Sequence, residues 1–437
     1  MESRLLPPRP NLRQYRKQAK DLLHACVSTD PAALHSWAEQ WFDATSDQWK
    51  ETESRLRGIP AIQNLPDSVR REEIDRIEKR VRSSKLSEPD PKLADAQFFV
   101  AREHGFESWP KFAQQIQALH GGNSLAAKFE AAADAITSGD IGTLRRLLRE
   151  QPELIHTRSE RLHNSTLLHY VSANGIEDFR QKTPANIVEI ARLLLDAGAE
   201  INAESNAYGG GCTALGLVAT SGHPERAGVQ QALMQLLLDQ GAVIDKTAIE
   251  DCLSNGRGEA ARFLASSGAP LNLATASGTG RLDVVRAFFD ADGSLKSTAT
   301  KEQLQRGFLW ASMYGSPEVV QFLLDRGADL SHQASVDATA LHWAAAGAHL
   351  GIVHLLIERG APLEAINRWG GTVLEQAGWA FANGDPDKDY VPIFDALLAA
   401  GAKLQDGWLA WLQQQSGRQE NAKARLAEVL RRHGALS

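Results

Sequence analysis

Carboxylates are the residues of this sequence whose type could supply acid–base chemistry. The candidates are Glu375 and Asp337, followed by Glu204, Glu250 and Asp251, and Tyr314 carries a hydroxyl that could assist them. Burial would raise the pKa of such a carboxyl group and make it a general acid. A carboxylate that only accepts hydrogen bonds from nearby backbone amides is the simpler interpretation. No set of these residues identifies a substrate.

Other reactive groups lack the partners that their chemistry requires. Cys212 is a possible thiol nucleophile, but no base lies near it in the sequence. Residues 208–211 (Tyr-Gly-Gly-Gly) could bring backbone amides close to an anion. They lack the Gly-Lys-Ser/Thr of a phosphate-binding loop, so a flexible turn is the simpler interpretation. His349 and His354 are five residues apart and share no helix face, so the sequence predicts neither a metal site nor a cofactor.

The elements that must position these residues are short helices, most of which end at a recurring Gly-Ala pair. Glycine ends a helix readily because it enters the left-handed region without a Cβ clash. Gly293, Gly327 and Gly360 are 34 and 33 residues apart, the period of a turn plus two short helices. The pair occurs in LLLDAGAEIN (193–202), LLLDQGAVID (236–245), FLASSGAPLN (263–272), FLLDRGADLS (322–331), LLIERGAPLE (355–364) and LLAAGAKLQ (397–405).

The repeats differ in length. Gly198 to Gly241 is 43 residues and Gly360 to Gly401 is 41, so insertions are predicted at 176–186 and 382–389, where loop formers are frequent. Gly241 to Gly268 is only 27 residues, which predicts one shortened repeat. We predict about seven to eight irregular repeats in total.

The first helices of the repeats resemble those of the ankyrin family. Residues 338–346 (ATALHWAAA), 165–173 (STLLHYVSA) and 212–219 (CTALGLVA) are similar to its Thr-Pro-Leu-His-x-Ala-Ala signature, each without the proline. His169 and His342 match the signature histidine and are expected to bond the backbone of the neighbouring turn, whereas Glu375 replaces it. The resemblance covers about residues 125–437 and implies an all-α, ankyrin-repeat solenoid.

Three further segments are similar to ankyrin proteins that are common in bacteria. They are DAQFFVAREHGFESWPKF (95–112), YGGGCTALGLVATSGHP (208–224) and NRWGGTVL (367–374). The resemblance therefore implies a bacterial ankyrin-repeat protein. It implies no activity, because one fold supports many functions.

The resemblance also indicates where a site would lie. In an ankyrin array, the concave face is formed by the fingers that precede the first helices and by the last exposed turns of those helices. The candidate ligand-binding residues on this face are His163, Asn174, Tyr208, Gly210, Thr220, Ser221, Asn255, Met313, Tyr314, Arg368, Trp369 and Trp379. Small hydroxyl and amide residues dominate its N-terminal half, and aromatic residues its C-terminal half.

Two functions fit such a face. The first is a binding module that captures a protein or peptide in an open groove. The second is an enzyme or a binder of a small organic molecule, with a pocket formed by the inserted fingers and the hydroxyl- and aromatic-lined helices. We favour the first because the sequence contains no recognisable catalytic constellation.

Composition narrows the partners further. The formal charge of −7 is uneven, with 19 Lys/Arg against 18 Asp/Glu in residues 1–120 and 28 against 36 in the remainder. A mildly acidic body argues against nucleic acid, which requires a concentrated basic surface. No apolar run approaches the roughly 20 residues that span a bilayer, so no membrane partner is predicted. The three cysteines form no close pair, which favours a cytoplasmic protein.

Residues 1–120 are predicted to form a separate helical segment that caps the first repeat, and residues 121–437 the array with a C-terminal helical cap. Trp37 and Trp41 are four residues apart and should stack on one helix face. The charged stretch 68–85 is either a solvated helix or a docking helix for a partner. The predicted helical stretches are 11–28, 32–57, 68–85 and 93–119, the last as two helices.

Overall fold

The computed structural model describes residues 11–45, 65–120, 124–334, 336–415 and 420–435. Over these ranges the chain is all-α, apart from one pair of two-residue antiparallel strands. It forms two compact units, Met1–Ile244 and Asp245–Ser437, here called the first unit and the second unit. The units divide inside the predicted array, and the predicted domains 1–120 and 121–437 stay a prediction.

The described part of the first unit combines five N-terminal helices with the first repeats. Its described α-helices are α1 (Leu12–Val27), α2 (Ala33–Thr45), α3 (Leu65–Arg82), α4 (Leu93–Glu103), α5 (Trp109–His120), α6 (Leu125–Ser138), α7 (Ile141–Glu150), α8 (Ile187–Asp196), α9 (Ala214–Thr220), α10 (Gly222–Arg226) and α11 (Gln230–Asp239). Short 3₁₀ turns lie at Lys85–Ser87, Pro152–His156, Leu167–Ser172, Asp178–Arg180 and Ala207–Gly209. Strands β1 (Glu204–Ser205) and β2 (Cys212–Thr213) pair with Glu204 opposite Thr213.

The second unit consists of successive short helices. Those described are α12 (Ala248–Ser254), α13 (Gly258–Ser266), α14 (Leu273–Gly278), α15 (Leu282–Arg286), α16 (Lys301–Met313), α17 (Pro317–Leu324), α18 (Ala340–Ala346), α19 (Leu350–Glu358), α20 (Val373–Asn383), α21 (Val391–Ala399), α22 (Trp408–Gln413) and α23 (Glu420–Arg432). A seven-residue helix such as α18 is too short to be stable alone. It packs between α16 and α20, so tertiary contacts stabilise it.

Local sequence sets the ends of these helices. The Ser124 hydroxyl accepts a hydrogen bond from the Ala127 amide at the start of α6, and Gly139 ends that helix with a φ of 82°. Side chains at helix starts are favoured because the first amides have no partner within the helix. The glycines of the recurring Gly-Ala pairs all have positive φ, which confirms their predicted role as helix terminators: Gly198, Gly241, Gly268, Gly327, Gly360 and Gly401.

The N-terminal helices enclose a hydrophobic core of their own. The predicted stacking of Trp37 on Trp41 is confirmed, with ring centroids 5.1 Å apart. Of the predicted helix at 32–57, residues 33–45 are helical and the remainder lies outside the described residues. These helices also contact the first repeat, because the Leu162 amide donates to the Gly105 carbonyl at 2.7 Å.

The two predicted insertions lie between helices. Residues 176–186 form an irregular segment around the 3₁₀ turn Asp178–Arg180, before α8 begins. The second insertion starts later than predicted, because α20 continues to Asn383 and the loop begins at Gly384. Both insertions therefore add length between the two helices of a repeat.

Gly378 provides a test of the close packing in the second unit. A Cβ atom at this position would lie 2.6 Å from the Trp408 ring, so Gly378→Ala should destabilise the second unit by about 1–3 kcal/mol. Gly351→Ala is the matched control. It adds the same methyl group to a helix in open space and should be neutral or slightly stabilising. Urea unfolding followed by circular dichroism measures both, and equal effects of the two substitutions would contradict this packing.

Candidate functional site

A finger at residues 366–371 of the second unit is organised by a single side chain, Asn367. This residue is 6% exposed, and its Oδ1 accepts from the Trp369 and Gly371 amides, both at 3.0 Å. Its Nδ2 donates to Gln376 Oε1 at 2.9 Å, which fixes the finger against α20. A fully bonded buried amide of this kind favours one finger conformation.

The preceding finger supports this one from the other side. Gln333 Nε2 donates to the Ile366 carbonyl at 3.0 Å, and the Arg368 amide donates to the Val336 carbonyl at 2.9 Å. The Arg368 guanidinium forms an ion pair with Asp337 at 4.0 Å. Asp337, a candidate for acid–base chemistry, thus pairs with Arg368, a candidate ligand-binding residue. Both side chains are exposed.

Large hydrophobic side chains lie exposed on this finger and on α20, the helix that follows it. Ile366, Trp369 and Trp379 are 56%, 72% and 61% exposed. They are the only large hydrophobic residues that are exposed among the described residues of the second unit. We call these three residues, two tryptophans and one isoleucine, the aromatic surface. An exposed group of large apolar side chains is typical of an interaction site.

The helix that follows the finger gives Trp379 its position. Within α20, Trp379 and Asn383 are the exposed positions, and they share a face because they are four residues apart. Glu375 is half-buried, and its Oε2 accepts from the Thr372 amide at 2.7 Å at the start of the helix. The structure thus gives the Glu375 carboxylate a capping contact with the backbone.

The other predicted residues of the second unit have different surroundings. Tyr314 turns toward α13, where a Cβ at Gly258 would lie 2.4 Å from its ring, and its hydroxyl donates to the Leu253 carbonyl. The Met313 carbonyl accepts from His349 Nε2 at 2.9 Å. Asn255 is exposed, and its Nδ2 donates to the Asp251 carbonyl at 2.8 Å.

In the first unit, Tyr208, Asn174 and Thr220 come together. Tyr208 is 66% exposed with a φ of 52°, which is uncommon for an aromatic residue, and its hydroxyl donates to Asn174 Oδ1 at 2.6 Å. Asn174 Nδ2 in turn donates to Thr220 Oγ1 at 3.1 Å. Gly210 lies exposed in the same finger. These residues form a hydrogen-bonded chain on the surface.

Several of the predicted polar residues bond their own helices. Thr220 Oγ1 donates to the Gly216 carbonyl at 2.9 Å. Ser221 is buried, and its hydroxyl accepts from the His223 amide at the start of α10. The hydroxyl groups along the predicted face are therefore engaged in holding short helices.

His163 lies in the interior of the first unit and not in an exposed finger. It is 1% exposed, with its Nε2 3.5 Å from Glu177 Oε1. Repeat spacing alone predicts an exposed finger position for His163. In the structure, the inserted segment that follows covers this residue. His163 therefore borders a buried charge network that the sequence did not reveal.

Two arginines and two glutamates form this network, which we call the charge network. Arg161 Nε lies 2.5 Å from Glu177 Oε1, and Arg180 Nη1 lies 2.7 Å from Glu130 Oε2. Arg180 Nη1 also reaches Glu177 Oε1 at 3.1 Å. All four residues are at least nine-tenths buried. Glu177 and Arg180 belong to the insertion at 176–186. Their opposite charges, three residues apart, are the sequence feature that could have indicated this ion pair.

The charge network also joins the N-terminal helices to the first repeat. Arg161 Nη1 donates to the His104 carbonyl at 3.0 Å, and its guanidinium lies over the Phe106 ring. Burial by itself would raise the pKa of Glu177. The guanidinium groups of Arg161 and Arg180 outweigh burial and hold that pKa well below its ordinary value. Glu177 is therefore ionised in the folded protein at neutral pH.

A cavity of about 290 Å³ lies next to Glu130 in the first unit. It is bounded by α5, the start of α6 and the turn at 157–160, including Gln115, Phe129 and Arg158. None of the predicted site residues lines it. Across the described parts of the chain, no group of three His, Cys, Asp or Glu residues could hold a metal ion, and no helix is long and apolar enough to cross a membrane.

Comparison with known proteins bears on the second unit. The family model described as "Ankyrin repeats (3 copies)" matches residues 308–406, which include the aromatic surface. The all-α ankyrin-repeat fold predicted from the sequence is confirmed.

The proteins that are similar to this chain include a ubiquitin ligase and an ankyrin repeat domain. One is the E3 ubiquitin-protein ligase hecd-1 of Caenorhabditis elegans, which is 32% identical over 118 residues. That match covers 23% of this chain, and the chain spans about 4% of the length of that relative. The other is the crystal structure of the human ASB11 ankyrin repeat domain, with 21% identity, a TM-score of 0.32, and coverage of 63% of this chain and 99% of that one.

The charge network predicts a pH-dependent stability. Glu177→Gln leaves the guanidinium groups of Arg161 and Arg180 to share Glu130 as their one buried carboxylate, and it should lower the free energy of unfolding by about 3–5 kcal/mol at pH 7. Because the pKa of Glu177 is depressed in the folded state, its stabilisation is present above the unfolded pKa of about 4.3 and is lost as the pH falls below it. The difference between wild type and Glu177→Gln should therefore shrink on acidification.

Urea unfolding at pH 7, 4 and 3 measures this difference, because most of the loss occurs below the unfolded pKa. Glu150→Gln is the matched control, because Glu150 pairs with Arg146 at the surface of the same unit and should change stability by at most about 1 kcal/mol. A difference between wild type and Glu177→Gln that stays constant over this pH range would contradict the role assigned to Glu177.

Proposed function

We propose that the protein is a binding module whose second unit captures a protein or peptide segment on the aromatic surface. The observation that carries this proposal is the concentration of all three exposed large hydrophobic residues of the described second unit within residues 366–379. Ankyrin repeats are generally protein–protein interaction modules, and the family model of such repeats matches residues 308–406.

The side chains are of the type that dominates binding energy. Tryptophan is enriched at interaction hot spots, where its loss costs at least about 2 kcal/mol. An aromatic side chain buries about 150–250 Å², so covering the exposed parts of Trp369 and Trp379 contributes roughly 3 kcal/mol each before the entropy cost of association. Two such anchors contribute about 6 kcal/mol, whereas a micromolar complex requires about 8 kcal/mol, so further contacts of the peptide must contribute the remainder.

The finger is also held in place before any partner arrives. Asn367 fixes it to α20, and Gln333 and Arg368 fix it to the preceding finger. Binding to an ordered surface loses less conformational entropy than binding to a loose loop. This preorganisation supports a role in binding. We place the surface on the concave face of the array, because a finger and the exposed turn of a first helix form it.

The remaining sequence predictions complete the proposal. The acidic composition supports a protein or peptide partner over nucleic acid. A bacterial source, a cytoplasmic location and a capping role for residues 1–120 stay predictions from the sequence. The alternative of an enzyme or small-molecule binder also stays a prediction, and the described hydroxyl groups of the predicted face give it no specific support because they bond their own helices.

Substitution of both tryptophans tests the proposal. Peptides selected from a phage-displayed random 12-residue library on the intact protein should bind with a Kd that fluorescence polarisation can measure. Trp369→Ala/Trp379→Ala should raise that Kd by at least about 30-fold, because two anchors are removed. Circular dichroism should show unchanged folding, since both side chains are exposed.

Phe98→Ala/Val243→Ala is the matched control, because it removes two exposed hydrophobic side chains from the first unit. The selected peptides should bind this control with unchanged Kd. Selection of no peptide, or peptides that bind the tryptophan double variant as tightly as wild type, would refute the proposed function.

A further inference from the structure

An acidic loop lies at the end of the helix that presents Trp379. The insertion after α20 reads Gly-Asp-Pro-Asp-Lys-Asp at 384–389 and begins directly after Asn383. Lys388 Nζ donates to the Gly347 carbonyl at 3.1 Å, at the end of the neighbouring first helix α18. The loop is therefore fixed on the side of the repeats where α18 and α20 end, and Trp379 lies in the last part of α20.

Contacts within the loop make its position definite. Asp385 Oδ1 accepts from the Asp387 amide at 2.9 Å, which closes a tight turn. Asp389 pairs with Arg425 of α23 at 2.8 Å. Both ends of the loop are thus bonded, and the side chains of Asp385 and Asp387 are exposed.

The electrostatic balance around the aromatic surface is negative. Residues 364–389 contain five acidic and two basic residues. Arg368 pairs with Asp337, Asp389 pairs with Arg425, and Lys388 donates to a backbone carbonyl, so that with the partners Asp337 and Arg425 this region holds six acidic and three basic residues. The C-terminal end of α20 adds the partial negative charge of the helix dipole beside the same loop. A positively charged group is therefore favoured next to Trp379, and an anionic group is disfavoured.

We propose that the aromatic surface recognises a basic peptide segment, in which an arginine or lysine lies over Trp379 between the ring and the acidic loop while neighbouring apolar residues cover Ile366 and Trp369. This inference rests on the proposed function and specifies the chemistry of its partner. The indole face attracts cations more strongly than other aromatic rings do, and arginine is the most frequent partner. The carboxylates of Asp385 and Asp387 supply the counter-charge.

Among the described residues of the second unit, Arg306, Trp310 and Glu250 form a comparable arrangement. The Arg306 guanidinium lies 5.8 Å from the centroid of the Trp310 ring and forms an ion pair with Glu250. Trp310 is on the first helix α16 of an earlier repeat. An arginine held between an indole ring and a carboxylate is therefore compatible with the geometry of these repeats. At Trp379 the ring is exposed and the acids are present, and the partner would contribute the cation.

Three synthetic peptides test the inference with the full-length protein. They are fluorescein-labelled 12-residue peptides that share their Leu and Phe positions and carry Arg, Gln or Glu at all the others. Fluorescence polarisation should give the Arg peptide a Kd at least about 10-fold lower than that of the Gln peptide in low salt, with the Glu peptide weakest. Raising the ionic strength to about 0.5 M should reduce the advantage of the Arg peptide, because exposed charges are screened.

Asp385→Asn/Asp387→Asn is the decisive variant, because it removes two charges and keeps the shape of the loop. It should weaken binding of the Arg peptide by about 3- to 10-fold and leave the Gln peptide unchanged. Glu318→Gln/Glu358→Gln is the matched control, since it removes two exposed charges from the second helices α17 and α19. This control should bind the Arg peptide as wild type does.

The outcomes separate this inference from the proposed function. Equal affinity of the Arg and Gln peptides, or equal effects of the two double variants on the Arg peptide, would overturn the basic-segment inference and leave peptide binding intact. Failure of all three peptides, together with failure of the phage selection, would overturn both. One further outcome combines two results: Trp379→Ala no longer binds the Gln peptide, and neither Asp385→Asn/Asp387→Asn nor ionic strength alters binding of the Arg peptide. This outcome would support the aromatic surface and refute the role of the acidic loop.

Discussion

In several repeats, the start of the first helix depends on a side chain at the third position of that helix, and where this residue is a histidine the next finger depends on it as well. His169 Nδ1 accepts from the Thr166 amide, so its Nε2 carries the hydrogen and donates to the Ala203 and Cys212 carbonyls of the next finger. One neutral imidazole therefore closes a helix and holds the neighbouring turn. Burial lowers the pKa of His169 to about 4, although its bonds to the two carbonyls act in the opposite direction, and this keeps the ring neutral near pH 7.

In the second unit, this position is occupied by a histidine in one repeat and by a glutamate in the next. His342 repeats the arrangement, with Nδ1 on the Thr339 amide and Nε2 directed at the Gly371 carbonyl of the next finger. Glu375 keeps the first contact, on the Thr372 amide, but an ionised carboxylate has no hydrogen to donate. The finger at 366–371 therefore receives the His342 contact at Gly371, and it is also held by Gln333 and Arg368 toward the preceding finger and by Gln376 toward α20. Trp369 is thus presented by a well-bonded finger.

The two units use charge in opposite ways. In the first unit, the charge network is buried, and each arginine forms ion pairs with carboxylates. Removing these charged groups from water has a large free-energy cost. Its geometry fixes the N-terminal helices on the first repeat through Arg161. In the second unit, the charges of the acidic loop remain at the surface beside Trp379. Buried charges determine structure here, and exposed charges determine which partner is attracted.

The sequence by itself determined the helical repeats, their glycine termini and the structural role of the signature histidines, because helix ends depend on backbone preferences and on side chains a few residues away. It also named Trp369 and Trp379 as candidates. Only the tertiary structure decided that His163 is buried, that Tyr314 turns toward Gly258, and that Arg161 meets the His104 carbonyl 57 residues away. Burial and ion pairing depend on segments that the fold brings together from distant parts of the chain, and no local pattern records which segments these are.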